Sequence, residues 1–404
     1  MSKISLIKEI LNEQNVPVWI TYCDEHSDYV FEKYICNDTI VASCAVLTPN
    51  NSYLIVNELD YDNIKQGDFK VLKFNANNKL IDILKDVLEK ELNFPQNIYL
   101  SYSTLNDTQT DILGYGIYQF LTKNISVLYD INSKPLTFNS AENIIYSLFD
   151  RKDPKTIERL KIAADRALSI LEETFNNLHE NMTELDIVNL THNITENKKH
   201  NEKIPDVINE QYSWKEDLCP IVLVGPSLEK GGHAIASNQK LTKGLTIYFD
   251  FGISLTFSDG EKVSSDLQRM GYFLQDNETN APKEVKDVFN TLVKSIDIGI
   301  ENIKPDLKGY EIDEKVRGYI TNKGYPSYNH STGHSIGEEA HNPGALIGTR
   351  ESKLANLKIQ KFGVYTIEPR IAINNGGSIE EMVYVTENGG VSLSRRQKEL
   401  FLVK

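Results

Sequence analysis

Eight histidines are spread unevenly over this chain, and three of them, His330, His334 and His341, fall within twelve residues. Histidine is the commonest metal ligand and carries protons near neutral pH. Inside that stretch, Gly333-His334-Ser335-Ile336-Gly337 fits the G-x-S-x-G turn that exposes a nucleophilic serine. That mechanism needs an acid and then a histidine downstream of the serine. Only His341 follows, six residues on, with no room for an acid on a separate loop, so a serine hydrolase is not expected. The carboxylates are the second anomaly. Asp250 ends the apolar run 245–249, Glu368 ends 364–367, Glu380 and Glu381 interrupt 379–385, and Asp266 follows two serines. Acids at core-like strand positions are rare unless paired or bound to a cation. If several meet around one histidine, their charges repel and some must stay protonated. Two divalent cations would balance four such carboxylates.

The elements that must position these groups can be read from periodicity. The chain has 404 residues, a prior of two to three domains. In the first 150 or so, helix and strand patterns alternate. Helices are expected over 4–11 and 80–92, and strands over 16–22, 42–47, 52–56, 71–74, 98–101 and 125–129. The turn Thr48-Pro49-Asn50-Asn51 makes a hairpin of the second and third strands. This is an α/β domain with a mostly buried sheet and no glycine-rich phosphate loop. A charged break at 150–154 with Pro154 suits a linker and a helix start, and one apolar face then runs from Ile157 to Leu178. Further helices are expected from Thr183 and over 282–300, and strands over 221–224, 245–251, 363–368 and 379–386. Helices first and strands later predict an α+β domain over 151–404, with helices packed on antiparallel sheet.

Composition narrows the class. Lys plus Arg is 43 against 57 for Asp plus Glu, a formal net charge of −14, which argues against nucleic acid as partner because phosphate binding needs clustered bases. Hydrophobic residues make up 40 %, enough for a large core. No window offers 18 uncharged apolar residues, so no membrane helix is expected, and the start carries no leader pattern. Four cysteines, Cys23, Cys36, Cys44 and Cys219, show no CxxC spacing or disulfide framework. A cytoplasmic protein with reduced thiols is the expectation.

The order of the chemical residues resembles the pita-bread metallopeptidases, which include methionine aminopeptidase, aminopeptidase P, prolidase and creatinase. The pieces are Asp250-Phe-Gly252, Ser265-Asp266-Leu-Gln-Arg269, Gly333-His334-Ser-Ile-Gly337 with His341 following, Thr366-Ile-Glu368-Pro369, and Ile379-Glu380-Glu381-Met-Val-Tyr-Val-Thr386. The resemblance covers the chain from about Arg151 onward, and the leading domain over 1–150 is similar to the creatinase-like amino-terminal domain in size and texture. It implies two divalent metal ions, manganese first, with cobalt, zinc or iron as alternatives. It implies Asp250 on one ion, Asp266 and Glu380 bridging, and His334 and Glu368 on the other. Glu380 rather than Glu381 follows the family pattern, since strand alternation puts the two on opposite faces without saying which faces the site.

The resemblance also carries over His233, in Gly231-Gly232-His233-Ala234, and His341 as groups that hydrogen-bond substrate, with Glu368 moving the proton. The implied activity is hydrolysis of the Xaa-Pro bond at the N-terminus of proline-containing peptides, most like aminopeptidase P. The rival readings are an Xaa-Pro dipeptidase and a catalytically weak scaffold that binds peptide or protein partners. A homodimer is implied as well. Some positions depart from the pattern. Sixteen positions separate Asp250 from Asp266, which predicts a lengthened hairpin over 255–262. Arg370 stands where Glu-Pro-Gly is usual, and Ser378 where arginine often precedes Ile-Glu. For Arg370 a surface salt bridge is expected, with a substrate carboxylate anchor as the alternative.

Overall fold

The computed structural model describes residues 2–64, 67–105, 107–230 and 234–404. Contacts divide the chain into two units, Met1–Leu148 and Phe149–Lys404.

The first unit alternates helix and strand: α1 (Lys3–Glu13), β1 (Trp19–Cys23), α2 (Tyr29–Tyr34), β2 (Ser43–Leu47), β3 (Ser52–Asn57), β4 (Lys70–Phe74), α3 (Leu80–Asp86), β5 (Asn97–Leu100), α4 (Tyr115–Ile131), β6 (Thr137–Ser140) and α5 (Glu142–Asp150), whose last turn passes the division. The strands form one mixed sheet in the order β4-β3-β2-β1-β5-β6. All five residues of β2 are buried, as expected of a strand covered on both faces. The hairpin between β2 and β3 closes on Thr48, whose hydroxyl accepts from Asn51 N at 2.8 Å. The helix from Leu80 continues beyond α3 through a π turn over Val87–Glu91. The strand expected over 125–129 is instead the middle of α4. Leu121, Ile125 and Tyr129 recur every fourth residue and are fully buried, a helical period that a five-residue window conceals.

The second unit opens with α6 (Pro154–Asn176) and α7 (Glu184–Asn201). Asp153 caps α6 by accepting from Thr156 N, with Pro154 in the first turn, and Thr183 and Asp186 form a capping box on α7. The apolar face of α6, from Leu160 through Phe175, packs into the core that also holds Phe249, Phe251 and Leu267. Arg166 on α6 makes a buried two-bond ion pair with Glu210, at 2.7 and 3.1 Å. Glu210 lies on β7 (Val207–Tyr212), a strand the periodicity did not single out.

Then follow β8 (Ile221–Val224), β9 (Thr246–Phe251), β10 (Ile253–Phe257), β11 (Lys262–Ser264), β12 (Leu267–Phe273), α8 (Lys283–Asn302), α9 (Gly309–Asn322), β13 (Gly333–His334), β14 (Leu346–Ile347), β15 (Val364–Ile367), β16 (Arg370–Ile371), β17 (Gly377–Ser378), β18 (Glu381–Thr386), β19 (Gly389–Ser392) and β20 (Phe401–Val403). They pair as β11-β10-β7, β20-β12-β9-β8, β13-β14, β15-β18-β19 and β16-β17, antiparallel except for β12 with β20. The extra residues between Asp250 and Asp266 are the hairpin of β10 and β11. The second helix pair, α8 and α9, buries Leu292, Ile296, Val316 and Ile320 against Tyr365, Ile367 and Val383. Among the described residues no helix is long and apolar enough to cross a membrane, and the four cysteines are free thiols.

Candidate metal centre

Five of the residues singled out above come together at the ends of strands. Asp250 is in β9, Asp266 directly precedes β12, His334 ends β13, Glu368 directly follows β15, and Glu380 directly precedes β18. Backbone hydrogen bonds set the strand ends in register. Glu368 N donates to Thr332 O at 2.7 Å, Glu380 N to Gln268 O at 3.1 Å, and His334 N to the Thr366 hydroxyl at 3.1 Å. Gly333 makes this approach possible, because a Cβ there would lie 1.9 Å from Thr366 O. Among the described residues, possible ligand atoms fall into three groups, each with its atoms within 4.8 Å of one another: Asp250, Asp266 and Glu380; His334, Glu368 and Glu380; Asp266, His334 and His341.

The histidine indicates what these atoms are suited to hold. His334 Nδ1 lies 3.1 Å from Ser335 O. A carbonyl only accepts, so Nδ1 carries the proton and Nε2 presents a bare lone pair. That lone pair faces Glu368 Oε1 at 3.5 Å, Asp266 Oδ2 at 3.8 Å and Glu380 Oε1 at 3.9 Å. These separations are too long for hydrogen bonds. Two atoms each about 2.1 Å from one ion lie at most about 4.2 Å apart, so they suit ligands of a common cation. Burial, and then His341, lower the His334 pKa to about 3, so the ring is neutral, as a ligand must be.

The acids tell the same story. Burial, then the charge of Asp250, raises the Asp266 carboxyl well above its ordinary range; burial, then Asp266, does so for Glu380, and burial, then Asp250, raises Glu368. Asp266 Oδ1 and both oxygens of Glu380 are buried and receive no hydrogen bond from the described residues. Orphaned buried carboxylate oxygens are costly, and divalent cations would remove both the desolvation cost and the mutual repulsion. The donor set of carboxylates with one imidazole therefore fits divalent metal.

Glu380 and Glu381 face opposite ways. Glu381 turns to Arg269, whose Nη2 is 3.2 Å away, and accepts from Gln397 N at 2.9 Å. Arg269 also donates to Glu380 O at 2.7 Å, so one fully buried guanidinium fixes the strand at both glutamates. His341 is exposed, its ring 4.3 Å from that of His334. His233 lies outside the described residues. Arg370 is neither on the surface nor paired with an acid among the described residues. It is 4 % exposed, its Nη2 donates to Leu228 O and Lys230 O at 3.0 and 2.9 Å, and its guanidinium lies 5.5 Å from the Tyr248 ring centre. Two carbonyls and an aromatic face replace the expected salt bridge, which the local sequence Glu368-Pro369-Arg370 did not reveal. Ser378 is buried, its hydroxyl donating to Pro369 O at 2.8 Å.

Sequence reasoning passed over two neighbours of the acids. The Tyr248 hydroxyl donates to Asp250 Oδ2 at 3.1 Å, and Gln268 Nε2 reaches Asp250 and Glu368. Both lie two residues from an acid along a strand, on its face, which is the signal that would have found them.

The sequence profile of metallopeptidase family M24 matches residues 158–387, more than half of the chain, and the chain belongs to that family. An uncharacterized peptidase, YqhT, of Bacillus subtilis is 31 % identical over 175 residues, 42 % of this chain and 45 % of that protein, so the match spans less than half of each. The Xaa-Pro dipeptidase of Pyrococcus horikoshii is 24 % identical over 366 residues, 88 % of this chain and 87 % of that one. Among solved structures, an Xaa-Pro dipeptidase from Bacillus anthracis aligns with a TM-score of 0.62 at 22 % identity over 99 % of each chain, and an X-Pro aminopeptidase from Thermotoga maritima with 0.59 at 21 % over 100 % of each. These share the fold, an α/β leading domain followed by the pita-bread α+β domain.

Proposed function

We propose that the protein is a cytoplasmic exopeptidase that holds two divalent ions, manganese first, and cleaves the Xaa-Pro bond at the N-terminus of peptides. The observation that carries this reading is that Asp266 Oδ1 and both Glu380 oxygens, buried, receive no hydrogen bond from the described residues and lie beside the bare Nε2 of His334. Asp250, Asp266 and Glu380 would hold one ion and His334 and Glu368 the other. Asp266, Glu380 and His334 each belong to two ligand groups, and of these only the two carboxylates have a second ligand oxygen to share, which supports Asp266 and Glu380 as the shared ligands. Bound there, the ions would activate water and polarise the scissile carbonyl.

The protein's own groups do the rest. The Glu368 side chain is 15 % exposed against 6 % for Asp266 and 1 % for Glu380, so water and substrate reach it more readily than those two. Glu368 takes the proton from the attacking water and returns it to the proline nitrogen. The exposed ring of His341 donates to the substrate carbonyl oxygen as charge develops on it, with His233 as its proposed partner. An Xaa-Pro bond has no N–H, so recognition rests on the carbonyl side and on the free amine. A homodimer remains part of the proposal on the resemblance alone.

The name carried by the Pyrococcus relative favours a second reading, an Xaa-Pro dipeptidase. One experiment separates the two. Metal-stripped protein is given an Xaa-Pro-Yaa tripeptide or an Xaa-Pro dipeptide, with and without manganese, and release of the leading amino acid is followed. Manganese-dependent release from the tripeptide supports the aminopeptidase, and release from the dipeptide alone supports the dipeptidase. Metal uptake without turnover of either makes the protein a binding scaffold.

A further inference from the structure

Gln268 sits among the four carboxylates without being one. It lies on β12, is 5 % exposed and stands opposite Asp250 in the β9 register. Its Nε2 donates to Glu368 Oε2 at 3.1 Å and to Asp250 Oδ2 at 3.3 Å. Its backbone carbonyl accepts from Glu380 N at 3.1 Å, and Asp266 lies two residues before it, on the same face. One residue thus links or adjoins all four acids.

The chemistry of an amide explains the choice. Turned over, Gln268 would set its carbonyl oxygen against two carboxylates, so their charge orients the nitrogen toward them. The two N–H groups can hold two anions at a fixed separation. A lysine or arginine would do so with a positive charge that competes with a divalent ion, and a hydroxyl has only one proton to give. A neutral amide spaces the carboxylates and leaves their charge for the metal.

We infer that Gln268 is a positioning residue that holds Asp250 and Glu368 apart and aimed before metal enters, and so raises the affinity of the centre for divalent ions. This rests on the two-ion reading above. Groups that orient ligands typically contribute 10–100-fold in metal affinity, so loss of the amide should weaken binding about tenfold or more. The test is titration of metal-stripped, full-length protein with manganese by calorimetry, for wild type, Gln268→Met, which keeps length and bulk without donors, and Gln268→Ala, which serves if the methionine variant does not fold. Manganese binding at least about tenfold weaker, with unchanged far-UV circular dichroism, is the expected result. A residue that only filled space would lower the metal-free melting temperature and leave manganese affinity within twofold of wild type; that outcome overturns the inference. Should wild type itself take up no manganese, the two-ion reading fails first, and the Gln268 role falls with it.

Discussion

At Glu380 and Glu381, adjacent carboxylates meet opposite electrostatic surroundings: three acids and an imidazole on one side, a guanidinium on the other. Glu380→Gln should abolish uptake of at least one manganese ion and lower kcat/KM by more than about 100-fold, beyond the range for groups that merely orient ligands. Glu381→Gln should keep the metal content of wild type but cost roughly 3–5 kcal/mol, because Arg269 stays buried without its anion. Elemental analysis and urea unfolding of the two variants check the pair, and equal metal loss in both would refute the assignment. Arg370→Gly installs the residue usual after Glu-Pro and leaves two carbonyls without their donor. A stability loss of about 1–3 kcal/mol in urea unfolding is expected. Asp250 and Glu368 were legible because acids rarely end apolar strands and Glu380 because it interrupts one, whereas Asp266 and His334 were assigned through the family resemblance. Orientation was not legible: alternation separates Glu380 from Glu381 but gives no absolute face, and nothing local marks Arg370 as buried.

Elements hold the histidine hairpin in place from behind. Asp150, at the end of α5, accepts from Ala345 N at 3.0 Å, and Gly344 leaves room for it, since a Cβ there would lie 2.0 Å from Asp150 Oδ1. Burial, partly offset by Lys152 and nearby hydroxyls, raises the Asp150 carboxyl to about 6 from 3.8 in the open chain. Between those values the folded protein holds a proton that the unfolded chain has lost. Stability therefore falls as pH rises through that window, by up to roughly 3 kcal/mol, and levels off above it. Asp150→Asn keeps an acceptor for Ala345 and lacks this dependence. Urea unfolding should show the variant gaining on wild type from about pH 4 to 6, and parallel curves would refute the shift. Arg166 and Glu210 tie α6 to β7, and Glu210→Ala should cost about 3–5 kcal/mol by the same measurement. Long elements such as α6 and α8 were legible from their apolar faces. The short window 125–129 was misread, and β7, in which the charged Glu210 is buried and the apolar Ile208 exposed, offered no period to find.

On the scale of the molecule, the strand ends that carry the five proposed ligands belong to three sheets, and all lie in the second unit. Metal should therefore register as a local event spread over distant sequence. Hydrogen exchange with manganese present should slow in 246–251, 264–270, 332–336, 364–371 and 378–383, while segments of 1–148 exchange as before. Slowing confined to one of those stretches would contradict a shared centre. The parallel partner of β12, the strand that follows Asp266, is β20, and Tyr272 there pairs with Leu402. A chain still leaving the ribosome would thus display Asp250 and Asp266 more than a hundred residues before Glu380 exists, and before the strand that closes their sheet. Capture of the proposed cation would then be a late checkpoint in biogenesis, passed only by polypeptides that have been translated as far as β20.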